Sequence, residues 1–225
     1  MLNILAVFLT YSQLFASGIV SLDPSTTELL FAVGLGKEIV ARDAASNYPA
    51  AVKSKTIIAH HLRVDREKLI QLKPDVIVSL DYQYQGLDKR IQHIKLQNRK
   101  LEDLTKNIAL LKKHFPQIAM VTPSQINKQP KLVGKSFILY ADKDQRIAVG
   151  KDSFISEALE KCGLKNKIRQ KGYPKLSRES LSQMQADFNW VLGHKKQDLN
   201  ADIYSRLTPR FMRAIQQLCE SLAQE

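Results

Sequence analysis

Four things are scarce in this sequence. The first is a long apolar run: the stretch Leu2–Leu9 falls well short of the roughly 20 residues a membrane-spanning helix needs. The second is a catalytic signature. There is no G-x-S-x-G, no H-E-x-x-H and no dinucleotide fingerprint, and the five histidines do not fall at the spacing of a catalytic metal site. Gly134-Lys135-Ser136 resembles the end of a phosphate loop, but Gln129 stands where that loop requires its first glycine. These absences predict a protein that is not an enzyme. The third shortage is cysteine, with only Cys162 and Cys219. In a reducing compartment they would be two buried thiols. In an exported protein they would pair, closing a loop that stabilises by about 4 kcal/mol in the chain-entropy account. The fourth is acid: 22 Asp and Glu face 34 Lys and Arg, a formal net charge of +12. The bases are spread along the chain, with one cluster at Lys165, Lys167, Arg169 and Lys171. Such a balance suits a solvated surface or an anionic partner, such as headgroups or an acidic ligand. No aromatic-basic pattern accompanies it, so nucleic acid is not expected.

What the chain does contain is one unit stated twice. Residues 64–78 read VDREKLIQLKPDVIV and residues 176–190 read LSRESLSQMQADFNW. Without a gap, Arg66 meets Arg178, Glu67 meets Glu179, Leu69 meets Leu181, Gln71 meets Gln183 and Asp75 meets Asp187. Asp65 and Ser177 are good N-caps, and each acid two residues later sits where the helix dipole favours negative charge. Leu69 and Leu72 give the helix one apolar face, Pro74 stops it, and Val76-Ile77-Val78 reads as a buried parallel strand. Each copy is a helix feeding a strand, half of a βαβ unit. Two copies far apart predict two similar α/β lobes.

The length of 225 residues suits one large domain or two small ones. Residues 1–18 read as a signal peptide: an apolar segment, then Ala16-Ser17-Gly18 at the spacing a signal peptidase reads, although no Lys or Arg precedes it. The alternative is a buried first strand or helix. A strand follows at 18–22. Ser25 and Glu28 then have the spacing of a capping box, with Leu29, Leu30 and Val33 as the helix stripe. A further strand is expected at 39–41, with a loop at 43–49 lining a crevice. His60 and His61 follow a strand at 56–59; adjacent histidines on a loop suit either a polar turn or a metal or haem ligand. Tyr82 and Tyr84 follow the next strand, as pocket walls or half-buried loop aromatics. Residues 87–93 read as a helix, and the polar 94–100 stretch as a degraded strand. Residues 101–115 carry apolar side chains at 101, 104, 108 and 111, a clean helical stripe. Pro123 and Pro130 mark a linker over 116–135. A second lobe opens with SFILYA at 136–141, and Asp152 or Ser153 caps its next helix.

In order and spacing, IVSLDPSTTELLFAVGLG, SNYP, VDREKLIQLKPDVIV, VGKDSFISEALEKCGLKNKI, YPKLSRESL and DIYSRLTPRFMRAIQQLCESLAQ resemble the substrate-binding proteins of iron-siderophore, haem and cobalamin ABC importers, most of all the cobalamin type. The resemblance covers nearly all the chain after Gly18. It implies a periplasmic, monomeric protein of two small α/β lobes with parallel-type sheets flanked by helices. The lobes would be residues 19–100 and 136–225, joined by a single inter-lobe helix at 101–115 and a linker at 116–135, with a ligand cleft between them. It implies cobalamin or a related corrinoid as ligand, with haem or an iron-siderophore as alternative, and a membrane permease as partner. His61, Tyr173, Asp202 and Arg206 match ligand contacts, with Tyr82 expected to wall the same pocket, and His60 matches the place of a haem ligand. Glu67 and Glu179 match the glutamates that dock on the permease, and Cys162 and Cys219 a disulfide. Ala45, Leu80 and Ile147 stand where the cobalamin type has stacking aromatics, and only about seven polar residues follow Gly193 where it has a further helix. These departures leave a third expectation open: a reduced member that has lost its ligand and serves as an interaction protein.

Overall fold

The computed structural model describes residues 18–84, 89–196 and 198–224, so the expected signal peptide at 1–18 lies outside the described residues except for Gly18. The first half builds one sheet from β1 (Ile19–Ser21), β2 (Ile39–Asp43), β3 (Thr56–His60), β4 (Arg63–Val64), β5 (Val76–Leu80) and β6 (Gln92–Leu96). Its order is β4-β3-β2-β1-β5-β6, with β4 alone antiparallel to its neighbour. Between strands run α1 (Pro24–Ala32) and α2 (Arg66–Leu72). All residues of β1 and β5 are buried, which is why these central strands read as unbroken apolar runs rather than alternating ones.

After α3 (Glu102–His114) comes a second, wholly parallel sheet of order β10-β9-β7-β8, built from β7 (Ser136–Tyr140), β8 (Lys165–Asn166), β9 (Phe188–Gly193) and β10 (Leu199–Asn200). Its helices are α4 (Phe154–Lys161), α5 (Arg178–Gln183), α6 (Ala201–Tyr204) and α7 (Pro209–Leu222). The architecture is thus α/β, with two parallel-type sheets flanked by helices. One core cluster runs through both halves, holding Ile19 and Leu30 of the first, Leu104, Ile108 and Leu111 of α3, and Phe137 and Phe211 of the second. The Leu101 N–H at the head of α3 donates to the Glu157 carboxylate of α4 at 3.0 Å, a direct tie from that helix to the second sheet's layer.

The repeated stretch occupies equivalent places. The α2–β5 copy puts its strand beside β1, and the α5–β9 copy beside β7; β1 and β7 each pair with a strand on the other side as well. Asp65 caps α2 by accepting from the Lys68 N–H at 3.1 Å, and the Ser177 hydroxyl accepts from the Ser180 N–H at 3.1 Å. The aspartate before each strand is tied to the start of the central strand, by its backbone at Asp75 and by its carboxylate at Asp187. The Asp75 N–H donates to Gly18 O at 3.0 Å, and Asp187 Oδ2 accepts from both the Ser136 N–H and its hydroxyl at 2.7 Å. Those two donors hold the Asp187 carboxyl below the ordinary carboxylate value. A depressed folded pKa contributes stability above the unfolded value, near 3.9, and loses it as pH falls through the folded one. Asp187→Asn is therefore expected to lower the melting temperature at pH 7, with the gap to wild type closing as melts are repeated below about pH 3.

Three local expectations change. The cap of α1 is Asp23, which accepts from the Ser25 N–H at 2.8 Å and the Thr26 N–H at 3.1 Å; Pro24 follows it, and Glu28 turns away from the helix start. Ser25 and Glu28 are therefore not a capping box. The helix expected over 87–93 is not formed in its described part, and of the 94–100 stretch expected to be a degraded strand, 94–96 belong to β6, in full register with β5 from Gln92 to Leu96; residues 85–88 lie outside the described ones. Ile94 and Leu96 are buried while Lys95 is exposed, the alternation of a half-covered edge strand. After Gly193 the chain does reach a short strand, β10, and a one-turn helix before α7. Ser153, rather than Asp152, caps α4 through the Ser156 N–H at 3.2 Å.

Candidate functional site

In open α/β sheets the crevice lies outside the carboxyl ends of the strands, where strand order reverses. In the first sheet that point falls at β1 and β5; in the second, at β7 and β9. The loops there carry the candidate residues. After β1, Asp23 is buried and accepts from the Gln83 side-chain amide at 3.2 Å; burial pushes its carboxyl up, against hydrogen bonds from Thr26 and Gln83. After β2, Asp43 accepts from the Ala45 N–H at 2.8 Å and from the Ser46 hydroxyl. Hydroxyls of Ser21, Thr27 and Ser46 link at 2.7 and 2.8 Å, so this floor is rigid.

Tyr82 follows β5 and is 54% exposed. Arg99 lies over its ring at 5.8 Å and is itself held by Asp81 at 2.8 and 3.0 Å. Tyr173, from the second lobe, is 64% exposed. Desolvation raises the Tyr82 hydroxyl, against a hydrogen bond with Asn98. Tyr84 has its hydroxyl raised by burial and then by Asp43 and Asp23, and its φ of 52° is left-handed. Ile147 is exposed on the second lobe and bridges to Lys175.

His60 and His61 stand at the tip of the β3–β4 hairpin. His60 pairs with Arg63, and the two turn residues, His61 and Leu62, have φ of 45° and 66°. Hairpin turns of this kind favour Asn and Gly, so the turn holds non-glycine residues in a costly conformation with His61 and Leu62 exposed. No group of three or more His, Cys, Asp or Glu among the described residues forms a metal-binding cluster.

Asp202 and Arg206 are brought together, but as part of something the sequence did not show. Arg206 donates to Asp202 at 2.5 Å, to Asn47 at 2.8 Å and to Glu28 at 2.7 Å. Arg210 donates from Nε to Glu28 at 2.9 Å and stacks over Tyr48 at 3.9 Å. Asn47 closes the ring on Asp202 at 2.9 Å. The side chains of Glu28 and Arg206 are 2% and 7% exposed. Burial raises the Glu28 carboxyl, and the two guanidinium groups work against it. The guanidinium of Arg206 thus ties one lobe to the other. Only the four-residue spacing of Asp202 and Arg206 was a local signal; Glu28 and Arg210 had none.

Glu67 and Glu179 are exposed in the first turns of α2 and α5. Cys162 at the end of α4 and Cys219 on α7 are fully buried and bonded in the structure, with Cα atoms 6.1 Å apart. A separate cavity of about 780 Å³ opens between α3, residues 120–126 and α4; none of the expected ligand contacts lines it.

Two α/β lobes, each with a parallel-type sheet and tied to each other through Glu28, Asn47 and Arg206, have the architecture of a two-lobed binding protein. The match to the periplasmic binding protein family model spans residues 19–133, half of the chain, and the protein belongs to that family. It is 25% identical over 269 residues to the vitamin B12-binding protein of Yersinia pestis (strain Pestoides F), covering 98% of this chain and 91% of that one. The alignment is longer than the 225-residue chain, so the relative carries insertions that are absent here. The fold is shared with the periplasmic vitamin B12 binding protein BtuF of Vibrio cholerae at a TM-score of 0.73 and 23% identity, over 93% of this chain and 98% of that one. It is shared also with the periplasmic heme-binding protein BhuT, at a TM-score of 0.71 and 15% identity over 92% and 98%.

Proposed function

We propose that the protein is exported to the periplasm by a signal peptide at 1–18 and serves there, as a monomer, as the substrate-binding protein of an ABC importer. It takes a corrinoid or another large planar ligand between its lobes and delivers it to a membrane permease. The observation that carries this reading is the pair Tyr82 and Tyr173, one exposed ring from each lobe at the crevice end of its sheet, in a family whose relatives are named for vitamin B12 and heme. Flat rings need broad apolar faces, and two tyrosines with Ile147 supply them. In this reading Asp202 and His61 serve as polar contacts, and Arg206 joins them where a ligand displaces part of its network. Glu67 and Glu179 meet cations on the permease, where exposed pairs steer docking more than they add affinity. In this compartment Cys162 and Cys219 are oxidised.

Haem is the second ligand, through His60 or His61 on the exposed hairpin tip. The third reading, a member that no longer binds, is favoured by the commitment of Arg206 to Glu28 and Asn47. Titration with cyanocobalamin and with hemin separates the three. Binding of cyanocobalamin, weakened on the order of a hundredfold in Tyr82→Ala/Tyr173→Ala, is the expected result. A Soret band lost in His60→Ala/His61→Ala would select haem. Cooperative unfolding with binding to neither ligand would leave the interaction protein.

A further inference from the structure

From Lys161 to Arg178 the chain has seven basic residues and not one acid. The segment leaves α4, forms β8 at the outer edge of the second sheet and crosses to α5. Lys161, Lys165, Lys167, Arg169, Lys171 and Lys175 are all exposed, while Asn166 and Ile168 between them are buried. The backbone is pinned rather than loose. Lys165 N–H donates to Lys135 O at 2.9 Å and Lys167 N–H to Phe137 O at 3.0 Å; the Lys151 and Gly150 N–H groups donate to Gln170 O and Gly172 O at 3.0 and 2.8 Å. The Asn166 side chain binds Ser156 at 2.8 Å and Val149 O at 3.1 Å.

What sets this edge apart is density of charge, seven bases within residues 161–178 and no acid among them. Lys68, Arg99, Lys106, Arg206 and Arg210 each have a carboxylate within 4 Å, whereas the six exposed bases here have no ion pair among the described residues. The acid that touches the segment, Asp152, accepts from the Gly172 N–H at 2.7 Å. Lysines on an edge strand also block edge-to-edge pairing. That role ends with the two residues of β8, yet the bases continue to Lys175. A rigid, mostly lysine strip with no basic–aromatic reading pattern fits diffuse negative charge better than base edges. Val133, 53% exposed beside Gly163, adds an apolar contact at one end.

We infer that this edge of the second lobe docks on an anionic phospholipid surface, holding the protein on a bilayer independently of any ligand between the lobes. Sedimentation of the full chain with vesicles of phosphatidylcholine, with and without about 30 mol% phosphatidylglycerol, tests it. Binding should require the anionic lipid and disappear between about 0.05 and 0.5 M salt. Lys165→Gln/Lys167→Gln/Arg169→Gln/Lys171→Gln should weaken partitioning on the order of a hundredfold. Lys37→Gln/Lys53→Gln/Lys73→Gln/Lys113→Gln removes the same charge from elsewhere and should weaken it only a few-fold. Equal loss in both variants means net charge alone and overturns the assignment. So does binding to phosphatidylcholine alone, or retention of a nucleic-acid fragment with no binding to vesicles.

Discussion

Glu28→Ala is expected to destabilise the protein by about 3–5 kcal/mol, read as a lowered urea midpoint with an unchanged slope. The carboxylate is 2% exposed and takes bonds from Arg206 at 2.7 Å and from Arg210 Nε at 2.9 Å. A buried ion pair adds little net stability when whole, because both charges were taken out of water to make it. Removing one partner is different, since the desolvation remains and the compensation goes. Here one carboxylate compensates two guanidinium groups. Arg206 keeps Asp202 and Asn47, but Arg210 keeps only the Asp202 carbonyl, at 2.6 Å, and the Tyr48 ring. Because Glu28 lies on α1 and both arginines come from the far end of the chain, the loss also loosens the contact between lobes. Small-angle scattering should show a larger radius of gyration for the variant under native conditions. A midpoint within about 0.5 kcal/mol of wild type would mean that water reaches these groups and that the lobes are held otherwise.

The limits of sequence reading follow from where each signal is stored. The twin helix–strand unit was legible because every device in it is local: a cap three residues from its donor, an apolar face at helical spacing, a proline stop, a short apolar run. The same locality misled at Ser25 and Glu28. Their spacing fits a capping box, but Asp23-Pro24 offered a better cap, and two arginines 178 and 182 residues away claimed the glutamate. No window of the chain holds that information. β6 read as a degraded strand for a related reason. Its polar residues face outward on an edge strand, so its average character is that of a coil, while the buried Ile94 and Leu96 keep the period of two. At the candidate site, Tyr82 was legible as an aromatic after a strand and Tyr173 only through the family resemblance; that both are exposed depends on the packing around them. Asp202 and Arg206 were legible as a pair, and their third and fourth partners were not.

Opening the Cys162–Cys219 link should cost about 4 kcal/mol, nearly as much as any single buried charge. The residues lie 57 apart in sequence, and a cross-link over such a loop removes conformations from the unfolded chain. In the folded chain both sulfurs are fully buried in the shared core, between the end of α4 and the last turns of α7. α7 forms no part of either sheet; packing, Arg210 on Glu28 and the Asn127 N–H on Gln216 hold it, and the disulfide adds a covalent cross-link to α4. Cys162→Ala/Cys219→Ala avoids burying unpaired hydroxyls, as serines would, and should melt lower by roughly 10 °C. Wild type heated in excess reductant should lose about as much, and the variant should not respond to reductant. If reductant leaves the wild-type melt unmoved, the two sulfurs are thiols in the purified protein, and the oxidising compartment in the proposed function loses its chemical support.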